Sequence, residues 1–197
     1  MRSTTILTGA FLAATAFAAQ EAALKQLLAI APTANTCDAA NTECITASAA
    51  IDNIIASFKE YNINTTGEQV ALLAWQAFES VDFKFWKNHS QNTPGQGTRC
   101  MMSPEFVQEY AAEKFPEIKE TDKAKLLEAV IKAGGEWGGA NWFYQKKCDD
   151  SVKNALKART GTKQAYSDFL TKCVNTGVND RMPKWNLAAT ALSLPAN

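Results

Sequence analysis

The stretch of residues 66–86 carries apolar side chains along two opposite sides, and this restricts the folds open to the chain. At about 100° per residue, Val70, Leu73, Ala74, Ala77, Phe78, Val81 and Phe85 fall in one stripe. Leu72, Trp75, Phe83 and Trp86 fall in the other. A helix that is apolar on both sides needs neighbours on both, so it is expected to run through the middle of a domain. Glu79 interrupts the second stripe, one turn after Trp75 and one turn before Phe83. A carboxylate held between aromatic rings loses hydration, which disfavours its charged form and raises its pKa. That is the condition a general acid needs near neutral pH. The plain alternative is a structural ion pair with a Lys or Arg from a neighbouring helix.

The rest of the chain also reads as helix. Helical composition covers 39–61, and Thr66 followed three residues later by Gln69 reads as a capping box opening the central helix. The stretch 88–99 holds Pro94, Gly95 and Gly97 and is expected to be an irregular polar loop, with room for a small hairpin. Ser103-Pro104-Glu105 gives an N-cap, a first-turn proline and a first-turn acid for a helix to about Lys114. Thr121 is expected to cap a helix over 122–133 that Gly134-Gly135 ends. Further helices are expected over 139–147, 151–158, 162–173 and 180–192. Alternating strand patterns are missing, so the expected fold class is all-α.

Composition narrows the function. Lys and Arg number 20 against 20 Asp and Glu, and no basic run exceeds two residues, which argues against nucleic acid or an anionic membrane surface as partner. A single histidine, His89, removes zinc sites built on two or more His ligands, and no metal or cofactor is expected. At the N-terminus, Arg2, the apolar run 6–17 and the small pair Ala18-Ala19 follow the layout of a secretory signal peptide. The expected organisation is a signal peptide over 1–19 and one domain over 20–197, exported and extracellular, with no membrane span. Export makes the five cysteines disulfide candidates. Cys37 with Cys44, and Cys148 with Cys173, are the expected pairs, with Cys100 left over. Sequons at Asn64 and Asn88 agree with a eukaryotic secretory route.

Glu79-Ser80 near the end of its helix resembles the Glu-Ser of goose-type lysozymes and soluble lytic transglycosylases. In those families an irregular loop leads to a Gly-Leu-Met-Gln segment and a proline that opens the next helix. Here 95–104, Gly-Gln-Gly-Thr-Arg-Cys-Met-Met-Ser-Pro, has a similar outline, with Met102 where the family has Gln. The stretch 139–144, ending Asn141-Trp142-Phe143-Tyr144, faintly echoes the family's Tyr-Asn-Ala-Gly segment. The Glu-Ser and Gly-Gln-Gly-Thr-Arg pattern is also similar to that of exported fungal proteins. The resemblance covers 71–104 and implies a lysozyme-like helical domain with Glu79 as catalytic acid.

On that basis the chain is expected to be a glycoside hydrolase or lytic transglycosylase-like enzyme acting on an amino-sugar polymer of the peptidoglycan or chitin type, as a monomer. The glycan would be bound by Ser80, Gln96, Arg99, Met102, Trp137, Trp142 and Tyr144. The tryptophans offer flat faces to pyranose rings, although filling a tight helix corner is the plainer use of the glycine- and tryptophan-rich stretch 134–142. The substrate's N-acetyl group or a second carboxylate would stabilise the oxocarbenium-like state, with Asp82 and Glu136 the carboxylates to inspect, and His89 is expected at the surface, with a cleft wall as the alternative. The rival reading is a non-catalytic exported binding or effector protein. An open cleft at Glu79 favours the enzyme; an Arg or Lys clamped on it favours the rival.

Overall fold

In the computed structural model, residues 8–89, 93–158 and 162–194 are described. Among them lie nine α-helices: α1 (Thr8–Ile30), α2 (Ala47–Glu60), α3 (Thr66–Glu79), α4 (Pro104–Lys114), α5 (Lys123–Lys132), α6 (Gly138–Lys147), α7 (Asp150–Lys157), α8 (Lys163–Asp168) and α9 (Met182–Ala191). A 3-10 turn, Pro32–Asn35, follows α1, and a π-helical turn, Phe169–Val174, extends α8. Among the described residues the only extended pairing is two isolated bridges, Lys87 with Gly97 and Gly97 with Met102. The fold is all-α, as expected. Residues 1–7 of the expected targeting segment lie outside the described residues, and 8–19 form the first half of α1. No described helix is long and apolar enough to cross a membrane.

The central helix is α3. It packs against α9 and α7, with α1 and α6 completing its surroundings. Both of its stripes are buried: Val70, Leu73 and Ala77 on one side, Leu72 and Trp75 on the other. The Trp75 ring meets Phe143 of α6 and Phe169 of the π-helical turn at centroid distances of 5.5 Å and 5.4 Å. Its start is capped one residue earlier than expected. Thr65 is the N-cap, its backbone N–H donates to Glu68 Oε2, and its hydroxyl accepts from the Glu68 N–H. The reciprocal acid is therefore Glu68, not Gln69. Glu68 is buried and also accepts from the Tyr144 hydroxyl at 3.0 Å, which ties the cap to α6.

The helix ends at Glu79, seven residues short of the expected Trp86. The cause lies in Ser80. Its hydroxyl donates to the Gln76 carbonyl at 2.6 Å and accepts from the Phe83 N–H at 2.9 Å, which diverts the chain from the helical ladder. Val81, Asp82 and Phe83 then take left-handed backbone angles, φ 53°, 54° and 63°. Such angles cost an L-residue about 1–2 kcal/mol each. The reversal sends Phe83 into the core against Trp137 and leaves Val81 58% exposed, so Val81 is not the core residue that the stripe suggested.

Helix α2 also starts later than expected, at Ala47. The preceding residues form a tight loop in which the side chains of Asp38 and Asn41 accept from the backbone two residues on, and Cys37 bridges Cys44. The second bridge joins Cys148 and Cys173, with Cα atoms 5.0 Å apart, and Cys100 is free and buried. All three expectations for the cysteines hold. Asp122 rather than Thr121 caps α5, accepting from the Lys125 N–H.

Candidate functional site

The α3 C-terminus delivers Glu79 to a cleft. Two cavities of about 250 and 490 Å³ meet there, and both are lined by Glu79, Gln96, Met101, Thr176 and Arg181. The smaller is walled by the aromatic rings of Trp75, Phe106 and Phe143 together with Met102. The larger is polar and adds Lys87, Asn88 and His89 to an apolar edge of Val81 and Phe85. A separate apolar groove of about 290 Å³ lies between α1 and α2, but its only titratable lining residue is Lys59. The titratable groups that line cavities therefore gather at the Glu79 cleft.

Arg181, at the N-cap of α9, closes on the carboxylate from the far end of the sequence. Its Nε and Nη2 lie 2.7 Å and 2.6 Å from Glu79 Oε1. Its Nη1 donates to the Gly177 carbonyl, and its guanidinium sits 4.6 Å from the centre of the Phe78 ring. Among the described residues, the hydrogen bonds that Glu79 accepts fall on Oε1, and Oε2 accepts none. Burial pushes the Glu79 carboxyl above its ordinary value, against the opposing pull of Arg181 and of the Trp75 indole N–H. The position adds to the upward push in kind, because the last residue of a helix sits at the negative end of the helix dipole. The Trp75 N–H acts on the carboxylate only at a distance: it is buried and makes no hydrogen bond itself.

Gln96 and Met102 line the cleft beside Glu79. Gln96 is fixed there by donating to the Met101 carbonyl at 3.1 Å and accepting from the Asn88 side-chain amide. The segment they belong to is a tight turn closed by reciprocal backbone bonds between Gly97 and Met102, at 3.0 Å and 2.7 Å. A Cβ on Gly97 would lie 2.4 Å from both Leu127 Cδ2 and the Trp86 carbonyl, so only glycine fits.

The other expected glycan contacts do not reach the cleft. Ser80 is fully buried and spends its hydroxyl on the backbone of Gln76 and Phe83. Arg99 is 1% exposed, donates to the carbonyls of Phe83 and Glu43, and pairs with Glu136 at 3.3 Å. It fastens the 97–102 turn to the left-handed turn after Glu79. Trp137 packs between Phe83 and the Arg99 guanidinium. Trp142 is buried with its indole N–H on Glu113, and Tyr144 is buried on Glu68. All three aromatic residues serve the core, where the helices around the glycine-rich corner close in on them.

Neither carboxylate considered as a second catalytic group lines the cleft. Asp82 accepts from Lys184 at 2.5 Å and from the Thr33 hydroxyl and N–H, and Glu136 is taken by Arg99. His89, in contrast, lines the larger cavity, with its Nε2 2.8 Å from Glu43 Oε1. The site residues that sequence reasoning missed are Arg181 and Thr176, about a hundred positions from Glu79 along the chain, and Glu43. Their partners are set by tertiary packing, and no local pattern marks them.

No protein-family model matches the chain, and no solved structure does. The chain is similar to a bifunctional dioxygenase–epoxy alcohol synthase of Fusarium oxysporum (strain Fo5176), with 30% identity over 154 residues. The match covers 72% of this chain and 12% of that protein, so the chain spans about an eighth of the length of the curated relative it matches.

Proposed function

We propose that the chain is an exported, monomeric glycosidase on a lysozyme-like helical frame, a hydrolase or lytic transglycosylase-like enzyme that cleaves an amino-sugar polymer of the peptidoglycan or chitin type. The observation that carries this reading is the Glu79 carboxyl. It stands at the meeting of two cavities, is raised in pKa by burial, and is held by Arg181 through one oxygen while the other accepts no bond. In this reading the proton rides on Oε2 and passes to the leaving glycosidic oxygen as the C–O bond breaks. The aromatic wall of the smaller cavity suits an apolar sugar face, and the polar lining of the larger suits hydroxyl and acetamido groups. The Glu-Ser pattern at the end of a central helix supports the same frame. Export is supported by the charge–apolar–small N-terminal layout and by the two disulfides.

The Arg181–Glu79 ion pair favours a second reading, a non-catalytic binding or effector protein, because a carboxylate neutralised by an arginine can be purely structural. The activities in the name of the Fusarium protein are stated of a much longer chain. The deciding experiment follows cell-wall turbidity and the release of reducing ends from chitin and chitosan by wild type and Glu79→Gln. Gln keeps the shape but has no acidic proton, so turnover is expected to fall about 10²–10⁴-fold while glycan binding survives. A wild type that binds these polymers and cleaves none supports the binding reading.

A further inference from the structure

Among the described residues, Glu79 is the only carboxylate lining either cavity of the cleft. An acid alone does not complete hydrolysis: something must take the proton of the attacking water or form a covalent intermediate. Asp82 and Glu136 are committed elsewhere, to Lys184 and Arg99. Lys87 and Arg181 line the cleft as cations. Cys100 reaches the smaller cavity, but burial pushes its thiol to about 12, which leaves it protonated and inert. Among the described lining residues, the group left with a lone pair that can act as a base is the His89 imidazole.

Its setting is that of an oriented imidazole. Glu43 is 8% exposed, and one of its oxygens, Oε2, is fixed by the backbone N–H groups of Trp86 and Lys87 at 3.1 Å and 3.3 Å. The other oxygen, Oε1, faces His89 Nε2 at 2.8 Å. Glu43 is itself anchored at both ends of its residue: its N–H donates to the Asn41 side chain, and its carbonyl accepts from Arg99. The Phe85 ring stands edge-on to the imidazole at 5.0 Å. A carboxylate on Nε2 holds the proton there, so the neutral ring presents the lone pair of Nδ1. The His89 side chain is 51% exposed and lines the larger cavity.

We infer that His89, positioned by Glu43, is the general base that activates the attacking water, and that the reaction is therefore a single inverting displacement. The inference rests on the glycosidase reading of Glu79. In the step, Nδ1 takes one proton from water as the water oxygen bonds to the anomeric carbon. The bond from that carbon to the leaving oxygen breaks, and Glu79 Oε2 supplies the proton that the leaving oxygen needs. Solvent then removes the proton from His89 and returns one to Glu79. The charged groups facing the imidazole are Glu43 beside it, Lys87 at 3.5 Å from the same Glu43 oxygen, and Glu79 with Arg181 across the cavity.

The test uses the full chain with N-acetylchitohexaose and peptidoglycan strands as probes, and proton NMR to read the anomer first released. The expected result is the anomer opposite to the bond cleaved. His89→Gln keeps an N–H for Glu43 but has no base, so turnover should fall about 10²–10⁴-fold. Added azide, a nucleophile that needs no deprotonation, should restore much of the rate to His89→Gln and to Glu43→Gln and give the inverted glycosyl azide. Azide should do nothing for Glu79→Gln. Melting curves of the variants near wild type keep the comparison to chemistry. Retention of configuration by wild type, or a His89→Gln rate within about threefold of it, overturns the role of His89 and leaves Glu79 as acid. Failure of wild type to cleave either probe overturns both.

Discussion

Arg181 places both of its contacts with Glu79 on a single carboxylate oxygen, reaching across 102 positions of sequence to do so. The pair settles the orientation of the carboxyl without occupying it. It also sets two influences on Glu79 against each other, burial favouring the neutral acid and the guanidinium favouring the carboxylate, and burial is the stronger.

Removing the weaker influence gives the first prediction. In Arg181→Gln the Glu79 carboxyl should titrate at higher pH than in wild type, and the alkaline loss of activity should move upward with it. Site-resolved NMR titration of the Glu79 carboxyl carbon measures the shift. The linkage has a definite sign. A carboxyl whose folded pKa exceeds its unfolded value stabilises the fold below the unfolded value, and that contribution is lost as pH rises through the folded one. Glu79→Gln should therefore flatten the stability profile in that window, and denaturant melts across it would show whether it does.

Val81 gives the second. It is exposed, β-branched and held at φ 53°, so its side chain contributes strain and little packing. Val81→Gly should stabilise by about 0.5–1 kcal/mol, the left-handed cost relieved less the entropy of a glycine. Leu73→Ala, in the buried stripe of α3, should cost roughly 2–4 kcal/mol. Equilibrium denaturation of the two variants should move in opposite directions.

The contrast shows where the sequence was legible. Periodicity over 70–77 reports burial correctly because one continuous helix carries those residues, and the same arithmetic fails from Val81 onward because Ser80 ends the helix. A serine hydroxyl that bonds back to the preceding turn leaves no trace in an apolar pattern. The cysteine pairs were legible, since the expected export makes cysteines disulfide candidates, Cys37 and Cys44 lie close in the chain, and Cys148 and Cys173 bracket a helix pair. For the tryptophans of the glycine-rich corner the sequence leaves glycan contact and core filling both open, because ring chemistry is the same on a cleft wall and in a core. Which of the two it is depends on Phe83 and Tyr110, the rings that Trp137 and Trp142 meet from distant segments.

The bridges supply the third prediction. Cys148–Cys173 closes a separation of 25 residues and Cys37–Cys44 one of 7. On loop-closure entropy the first is worth about 3.5 kcal/mol and the second about 2.4 kcal/mol. Paired Cys→Ala variants measured in urea should differ by roughly 1 kcal/mol, with the larger loss at 148 and 173. A larger loss from the short loop would mean that Glu43, beside Cys44, needs that bridge to hold its place.

Gly97 supplies the fourth. A methyl group there meets the Trp86 carbonyl, which cannot swing away as a side-chain end can. Gly97→Ala should cost about 1–3 kcal/mol. It should also lower turnover, since Gln96 and Met102 are displaced with the turn, and a melt combined with an activity assay reads both.

A saturation screen scored on activity alone would rank Arg99 beside Glu79, although nothing bound in the cleft could touch it. Its guanidinium and the Ile45 N–H converge on the Phe83 carbonyl at 2.8 Å and 3.1 Å, and that carbonyl closes the left-handed turn immediately after Glu79. Weakening either bond leaves the strained turn without its clamp and lowers the stability of the fold. The two positions separate only when the score is divided by the amount of folded protein: Glu79 variants lose rate per folded molecule, and Arg99 variants lose the molecules.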